Sequence, residues 1–352
     1  MMLTSEQQSA LVQWKDLLAE AGLDRVLMGD PGSEPPQMAE RFQVLARLFG
    51  EGQAVERRDF RACTSDEMLA ALETLGLVNR IGDRVAPAFQ LVFHLGLWLF
   101  CENKMAPSTK FYYGNASIEL SRMLRGATGN VLDLGCGVGT QALVCARTAA
   151  RVTGVEIEPL AAKLFWVNAA MNGLSDKVEL IIGDFLDPVA GRKFDLICCN
   201  PPYIPAPPGV RYPRFADGGG DGLEFVRRLM AGLPGALAPE GRCAAVGSVL
   251  GNHEGPDLAA FKKMAADSSL ALIIDCRTCE ELEGKALKQL VGLAMEDARE
   301  EDIERAYRSH FASLNATHLY GFLLHAERAP SPMVCATYPD GPSTAIQMVP
   351  FP

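Results

Sequence analysis

The chain lacks a long apolar run, a basic surplus and a paired-cysteine framework, and each absence narrows what it can be. Its most apolar stretch, FQLVFHLGLWLFC from Phe89 to Cys101, is too short to span a bilayer and carries His94, so it reads as core. The N-terminus, MMLTSEQQSALVQWKDLL, has no basic flank ahead of an apolar segment and does not read as a signal peptide. Lysine and arginine total 33 against 43 aspartate and glutamate, a formal net charge of -10. That balance argues against a broad phosphate-binding face, and hence against nucleic acid as partner. The 10 cysteines are scattered without the spacing of a secreted disulfide scaffold, which indicates reduced thiols and a cytoplasmic protein. The five histidines (94, 253, 310, 318 and 325) show no metal-ligand spacing, and Cys276 and Cys279 have no second pair nearby. No metal is expected.

What is present is apolar substance: 48% of the 352 residues, enough for two domains or one large domain with additions. To about residue 110 the pattern is mainly helical. Leu11, Trp14, Leu17 and Leu18 recur at helical spacing, as do Phe42, Leu45, Leu48 and Phe49, and Thr64-Ser65-Asp66-Glu67 opens a further helix with capping chemistry. The run from Leu75 to Phe100 then alternates about Gly82-Asp83, which predicts a hairpin after the helices. Helices followed by such a hairpin suggest a winged-helix-like domain over residues 1–110, for substrate covering or dimerisation. Residues 103–115, NKMAPSTKFYYGN, read as the linker. Beyond it strands alternate with helices, the pattern of a parallel sheet covered on both faces.

In this second domain, 111–352, the segment NVLDLGCGVGT ends a buried strand at Asp133 and Leu134 and breaks at Gly135, Gly137 and Gly139 before a helix. Glycines there allow a tight turn and close approach of a ligand to the backbone. RVTGVEIEP is a second strand ending in Glu156 and Glu158, LIIGDFLD a third ending at Asp184 and Phe185, and FDLICCNPPYIP a fourth running into Asn200, Pro201, Pro202 and Tyr203. Four strand ends in chain order converge on one edge, where open α/β sheets bind ligands, and Glu156 stands where an acid takes ribose hydroxyls. Two successive prolines have no N–H, so the last strand exit presents mostly acceptors, the Asn200 oxygen and carbonyls, to a ligand that brings N–H donors.

The segment Val131–Tyr203 resembles the class I S-adenosylmethionine-dependent methyltransferases, and its Asn-Pro-Pro-Tyr resembles the motif of those that methylate nitrogen conjugated to a planar π system. The resemblance extends over the C-terminal two thirds, with GRCAAVGSV, LALIIDC and LYGFLLHAE as fifth to seventh strands of a Rossmann-like sheet. NPPYIP followed by ADGGGDGLEFVRRL is most similar to the protein-glutamine N-methyltransferases that modify release factors. Two features depart from that group: the winged N-terminal segment, and a helical insertion near 279–313 before the last strand.

The resemblance implies S-adenosylmethionine as cofactor, leaving as S-adenosylhomocysteine, held by Asp133, Gly135, Gly137, Gly139, Glu156, Asp184, Phe185 and Asn200. Asp184 takes the adenine amino group in this reading, Phe185 packs on the ring, and Tyr113 of FYYGN, or its neighbour Tyr112, covers the methionine part. Asn200 and a proline carbonyl, assigned to Pro201, hold the two N–H groups of a nitrogen acceptor while Tyr203 stacks on its plane. The expected activity is N-methyl transfer to an amide, guanidine or amine of a small molecule or protein. A nucleic-acid base methyltransferase and a non-catalytic cofactor-binding regulator are the alternatives. The net charge counts against the first of these, and the intact Asp133, Glu156, Asp184 and Asn200 count against the second.

Overall fold

A computed structural model describes residues 3–28, 38–102, 108–295, 299–339 and 346–349. Seven strands form the main sheet: β1 (Asn130–Leu134), β2 (Arg151–Glu156), β3 (Val178–Ile182), β4 (Phe194–Cys199), β5 (Leu237–Asn252), β6 (Leu270–Glu281) and β7 (His318–Arg328). Their order is 3-2-1-4-5-7-6, and β7 runs antiparallel to both its neighbours while the strands from β3 to β5 pair in parallel. Two strands not expected from the sequence, β8 (Met333–Thr337) and β9 (Ile346–Val349), extend the β6 edge.

The apolar strand runs follow from burial on both faces. In β1, Val131 packs into one hydrophobic layer while Leu132 and Leu134 pack into the other. Register places Leu134 beside Val155 and Cys199, and Glu156 beside Ile182, so the C-terminal ends of β1 to β4 form one level edge. The site lies on that edge.

The N-terminal segment begins with the helix Ser5–Glu20, whose Thr4 and Gln7 form a reciprocal cap, and buries Leu11, Trp14 and Leu18. Ser65 caps the helix Asp66–Thr74 through the Met68 N–H at 3.1 Å. The strands Val78–Ile81 and Arg84–Pro87 turn at Gly82, where φ is +60°, and Val55–Glu56 adds a third strand. A second hairpin follows, Gln90–His94 with Leu97–Cys101, turning at Leu95 and Gly96. The expectation of a single hairpin is therefore corrected: Leu95-Gly96, embedded in apolar residues, is a turn in which both residues take positive φ.

Strand Leu97–Cys101 is joined to the second domain by two carboxamides. Asn172 accepts from the Trp98 N–H (3.0 Å) and donates to the Trp98 carbonyl (2.7 Å). Asn168 does the same to Phe100 at 2.8 and 3.1 Å. Four residues of helix rise about 6 Å and two residues of strand about 6.6 Å, so side chains four apart on the helix Pro159–Met171 match alternate residues of the strand and replace a missing neighbour. One core runs through both parts, from Leu11 and Trp14 through Phe100 to Phe165 and Val167. This explains why the helix Pro159–Met171 is apolar nearly all round: one face meets the sheet and the other the N-terminal segment. The expected linker lies partly, at residues 103–107, outside the described residues.

Candidate functional site

A cavity opens at the level edge of β1 to β4 and brings together Gly135, Gly137, Glu156, Asp184, Phe185, Asn200, Pro201 and Tyr203 from the sequence reading. Gly135, Gly137 and Gly139 take φ of +65°, +54° and +91°, a conformation L side chains resist. A Cβ at Gly135 or Gly137 would meet nothing within 4 Å, whereas one at Gly139 would stand 2.8 Å from Phe165. Two glycines thus face open space, and the third allows close packing of the following helix. Gly139 does not line the cavity wall.

Glu156, 8% exposed, ends β2 and binds the loop to it. Its Oε2 accepts from the Gly137 N–H at 2.7 Å, and its Oε1 accepts from the Ile157 and Glu158 N–H groups at 2.8 and 2.7 Å. Asp133 is placed differently from the expectation. It lies behind the loop, 1% exposed and off the cavity wall, where Oδ2 accepts from the Ala142 N–H at 2.8 Å and so orders the first turn of the helix Thr140–Ala146. It supports the loop from below, because β1 points alternate residues to opposite faces.

Burial pushes the Asp133 carboxyl up from 3.8 to about 7, against the opposing hydrogen bond from Ala142. Below pH 3.8 the folded and unfolded forms both hold the proton; between 3.8 and about 7 only the folded form holds it. Stability from this group is therefore lost as pH rises through that window. Asp133→Asn keeps an oxygen for Ala142 and has nothing to titrate. Its melting temperature is expected to gain on the wild type steadily between about pH 4 and 7 and to keep a constant offset above; parallel melting curves across that range would refute the assignment.

At the tip of β3, Asp184 pairs with Arg228 at 3.0 Å, and the Arg228 guanidinium lies 4.8 Å from the centre of the Phe185 ring. Phe185 has φ of +54°, a strained conformation for an aromatic residue that turns its ring toward the edge of the site. Arg228 covers one ring face and Phe225 meets the ring edge-on at 6.3 Å.

At the tip of β4, the Asn200 Nδ2 donates to Ser117 Oγ at 3.1 Å. With its nitrogen facing Ser117, the carboxamide oxygen has no hydrogen-bond partner among the described residues. Ser117 is itself held, its carbonyl accepting from Gln141 Nε2 at 3.2 Å. Ser248 Oγ, within β5, donates to the Tyr203 carbonyl at 2.7 Å. Burial pushes the Tyr203 hydroxyl up to about 12, so it stays protonated. The DGGGDG loop supports the strand exit from beneath: a Cβ on Gly218 would stand 2.6 Å from the Tyr203 Cα, and one on Gly222 2.6 Å from the Tyr203 carbonyl oxygen. Ile204 pairs with Asp217 as an isolated parallel bridge.

Tyr113 is a correction. Its ring packs against His94 at 5.9 Å, its N–H donates to the Glu102 carbonyl, and it does not line the cavity; Tyr112 does. Adjacent residues in an extended segment point opposite ways, so one of the pair had to be turned inward. Tyr112 meets Phe215 at 6.2 Å, and with Lys110 and Arg214 they complete the wall. Ser117, Ser248, Arg214 and Phe215 were not found from the sequence. Only Ser248 carried a signal: it lies near the end of the expected fifth strand, GRCAAVGSV. His253 is exposed and off the cavity.

A sheet ordered 3-2-1-4-5-7-6, with β7 alone antiparallel among the seven and its binding edge at a glycine turn, defines a class I S-adenosylmethionine-dependent methyltransferase. The family described as methyltransferase small domain matches residues 99–208. A release factor glutamine methyltransferase of Rhodospirillum rubrum is 41% identical over 254 residues, 67% of this chain and 74% of that protein. One of Moorella thermoacetica is 43% identical over 124 residues, 32% of this chain and 44% of its own length. A ribosomal protein uL3 glutamine methyltransferase of Bradyrhizobium diazoefficiens is 38% identical over 125 residues, 33% of this chain and 39% of its own length. The chain belongs to the release factor glutamine methyltransferase family. S-Adenosylmethionine is the cofactor of this class, and the open glycine turn beside the Glu156 carboxylate fits it. Among the described residues no helix is long and apolar enough to cross a membrane.

Proposed function

We propose that the chain methylates the side-chain amide nitrogen of a glutamine in a protein of the translation apparatus, in the cytoplasm. The observation that carries this reading is the Ser117–Asn200 hydrogen bond, which leaves the Asn200 oxygen free to accept from an amide N–H. An amide nitrogen delocalises its lone pair into the carbonyl and is a poor nucleophile. Held by the Asn200 oxygen on one N–H and the Pro201 carbonyl on the other, it presents that lone pair in one direction, and both acceptors stabilise the positive charge that develops on nitrogen. Tyr203 stacks on the amide plane. S-Adenosylmethionine, when bound, supplies an electrophilic methyl group. Glu156 would accept from its ribose hydroxyls, Asp184 from the adenine amino group, and Phe185 would lie along the ring. The names of the relatives support a protein acceptor over a small molecule.

Residues 1–110 are in this reading a winged-helix-like module fixed to the methyltransferase core by Asn168 and Asn172, serving as a rigid substrate-side wall. The test is transfer of label from methyl-labelled cofactor into unmethylated bacterial release factor and uL3, with peptide mass spectrometry to locate the methyl group. Label on a single glutamine is the expected result. Label found only in metabolites or nucleic acid from a fractionated extract would overturn the proposal.

A further inference from the structure

The helices Gly284–Gly292 and Glu300–Ser313 do not join either main hydrophobic layer. They build a third core, in which Leu287, Leu290, Val291, Ile303, Tyr307 and Phe311 pack on the chain that follows Asn-Pro-Pro-Tyr. That chain supplies Ala206 and Tyr212 to the core, with Ile204, Val210 and Phe215 against it. Polar contacts repeat the pairing. The Tyr307 hydroxyl donates to the Tyr212 hydroxyl, which donates in turn to the Leu290 carbonyl at 2.8 Å. The Met295 N–H donates to the Arg211 carbonyl at 2.8 Å, and His310 Nε2 lies 2.6 Å from the Gly220 carbonyl.

Residues 204–217 also reach the cavity. The Ile204 N–H donates to the Ala216 carbonyl at 2.8 Å, which places Phe215 and Arg214 beside the Asn-Pro-Pro-Tyr exit, where both line the wall. A segment containing Pro205, Pro207, Pro208, Gly209 and Pro213 has few backbone donors of its own with which to hold a shape. Short turns of its own, such as Val210 N–H to the Pro207 carbonyl and Ala216 N–H to the Pro213 carbonyl, hold parts of it, and the helices it packs on hold the rest. We propose that the helical hairpin is the scaffold of the acceptor wall: through Tyr307 and Tyr212 it holds 204–217 with Arg214 and Phe215 at the acceptor end of the cavity, and so sets acceptor affinity without touching the acceptor. The role rests on the glutamine-methyltransferase reading. Tyr212 and Tyr307 are positioning residues, since neither lines the cavity.

The test uses the full chain with Tyr212→Phe, Tyr307→Phe and the double variant, which keep the volume and remove the hydroxyls. With release factor as acceptor, Tyr307→Phe is expected to raise KM about three- to tenfold, the equivalent of one buried hydrogen bond, and Tyr212→Phe, which removes two, more than that. The maximal rate and the Kd for S-adenosylhomocysteine stay at wild-type values. The double variant is expected to be no worse than Tyr212→Phe, because that substitution already removes both bonds of the chain. Limited trypsin digestion needs no acceptor and is expected to cut faster after Arg211 and Arg214 in all three. An unchanged KM in the double variant, or a cofactor Kd that rises in step with KM, would overturn the scaffold role. If wild type modifies neither release factor nor uL3, the glutamine reading fails, and digestion alone then decides: faster cutting supports the scaffold and unchanged cutting rejects it.

Discussion

Asn200→Ala is expected to lower the methyl-transfer rate at saturating cofactor by about 10²–10³-fold, the loss found when one preorganised hydrogen-bonding group is removed from a charge-stabilising site. The Kd for S-adenosylhomocysteine should hardly change, because Asn200 is proposed to act on the acceptor side of the transferred methyl. The neighbouring serine sharpens the test. Ser117→Ala leaves the Asn200 carboxamide in place but removes the hydrogen-bond partner that steadies it, so the amide is free to rotate. A smaller fall in rate is expected, about tenfold, in line with the loss of one modest hydrogen bond. Asn200→Asp should fall between the two: it keeps acceptor oxygens, and Ser117 can rotate to donate, but a carboxylate favours a more cationic nitrogen than an amide. If Asn200 merely shaped a turn, the three substitutions would lower the melting temperature and leave the rate. Near-native turnover by Asn200→Ala would remove the mechanism proposed here.

Much of this site was legible because its signals are local. A buried strand that stops at glycine, a second that stops at an acid and a fourth that stops at Asn-Pro-Pro-Tyr each carry their chemistry within a few residues, and parallel pairing brings the ends to one level. The residues that were missed depend on contacts distant in sequence. Ser117 is 83 positions from Asn200, and Tyr212 is 95 from Tyr307. Nothing in the neighbourhood of either partner announces the other.

Tyr112 and Tyr113 show a second limit. The stretch FYYGN places aromatics near the cofactor edge, but which of two adjacent residues faces inward is a matter of register, and the packing of Tyr113 on His94 decides it. Asn168 and Asn172 show a third. Asn168, buried in an apolar helix, and Asn172, which caps its end, look like exceptions to its pattern until the strand Leu97–Cys101 is seen to lack a neighbour. The extra strands β8 and β9 lie beyond the seven that the resemblance implies.

Glu156→Ala is expected to weaken S-adenosylhomocysteine binding about tenfold to a hundredfold, the loss of a hydrogen bond to a charged acceptor being worth about 1.5–3 kcal/mol. Two effects combine in that figure. The carboxylate is proposed to accept from the ribose, and it also holds the Gly137, Ile157 and Glu158 N–H groups that shape the loop around the ligand. Glu156→Gln separates ordinary polarity from this double demand. Both carboxylate oxygens already accept from backbone N–H groups, Oε2 from Gly137 and Oε1 from the pair at the head of the next helix. A glutamine has one oxygen, so its NH₂ must face a backbone donor on one side or the other. The isosteric change is therefore expected to cost nearly as much affinity as alanine and to lower the melting temperature of the unliganded protein as well. Calorimetry with S-adenosylhomocysteine and a thermal melt without it measure the two effects separately. Wild-type affinity in both variants would mean that the cofactor is held elsewhere on the edge and that Glu156 only ties the loop to β2.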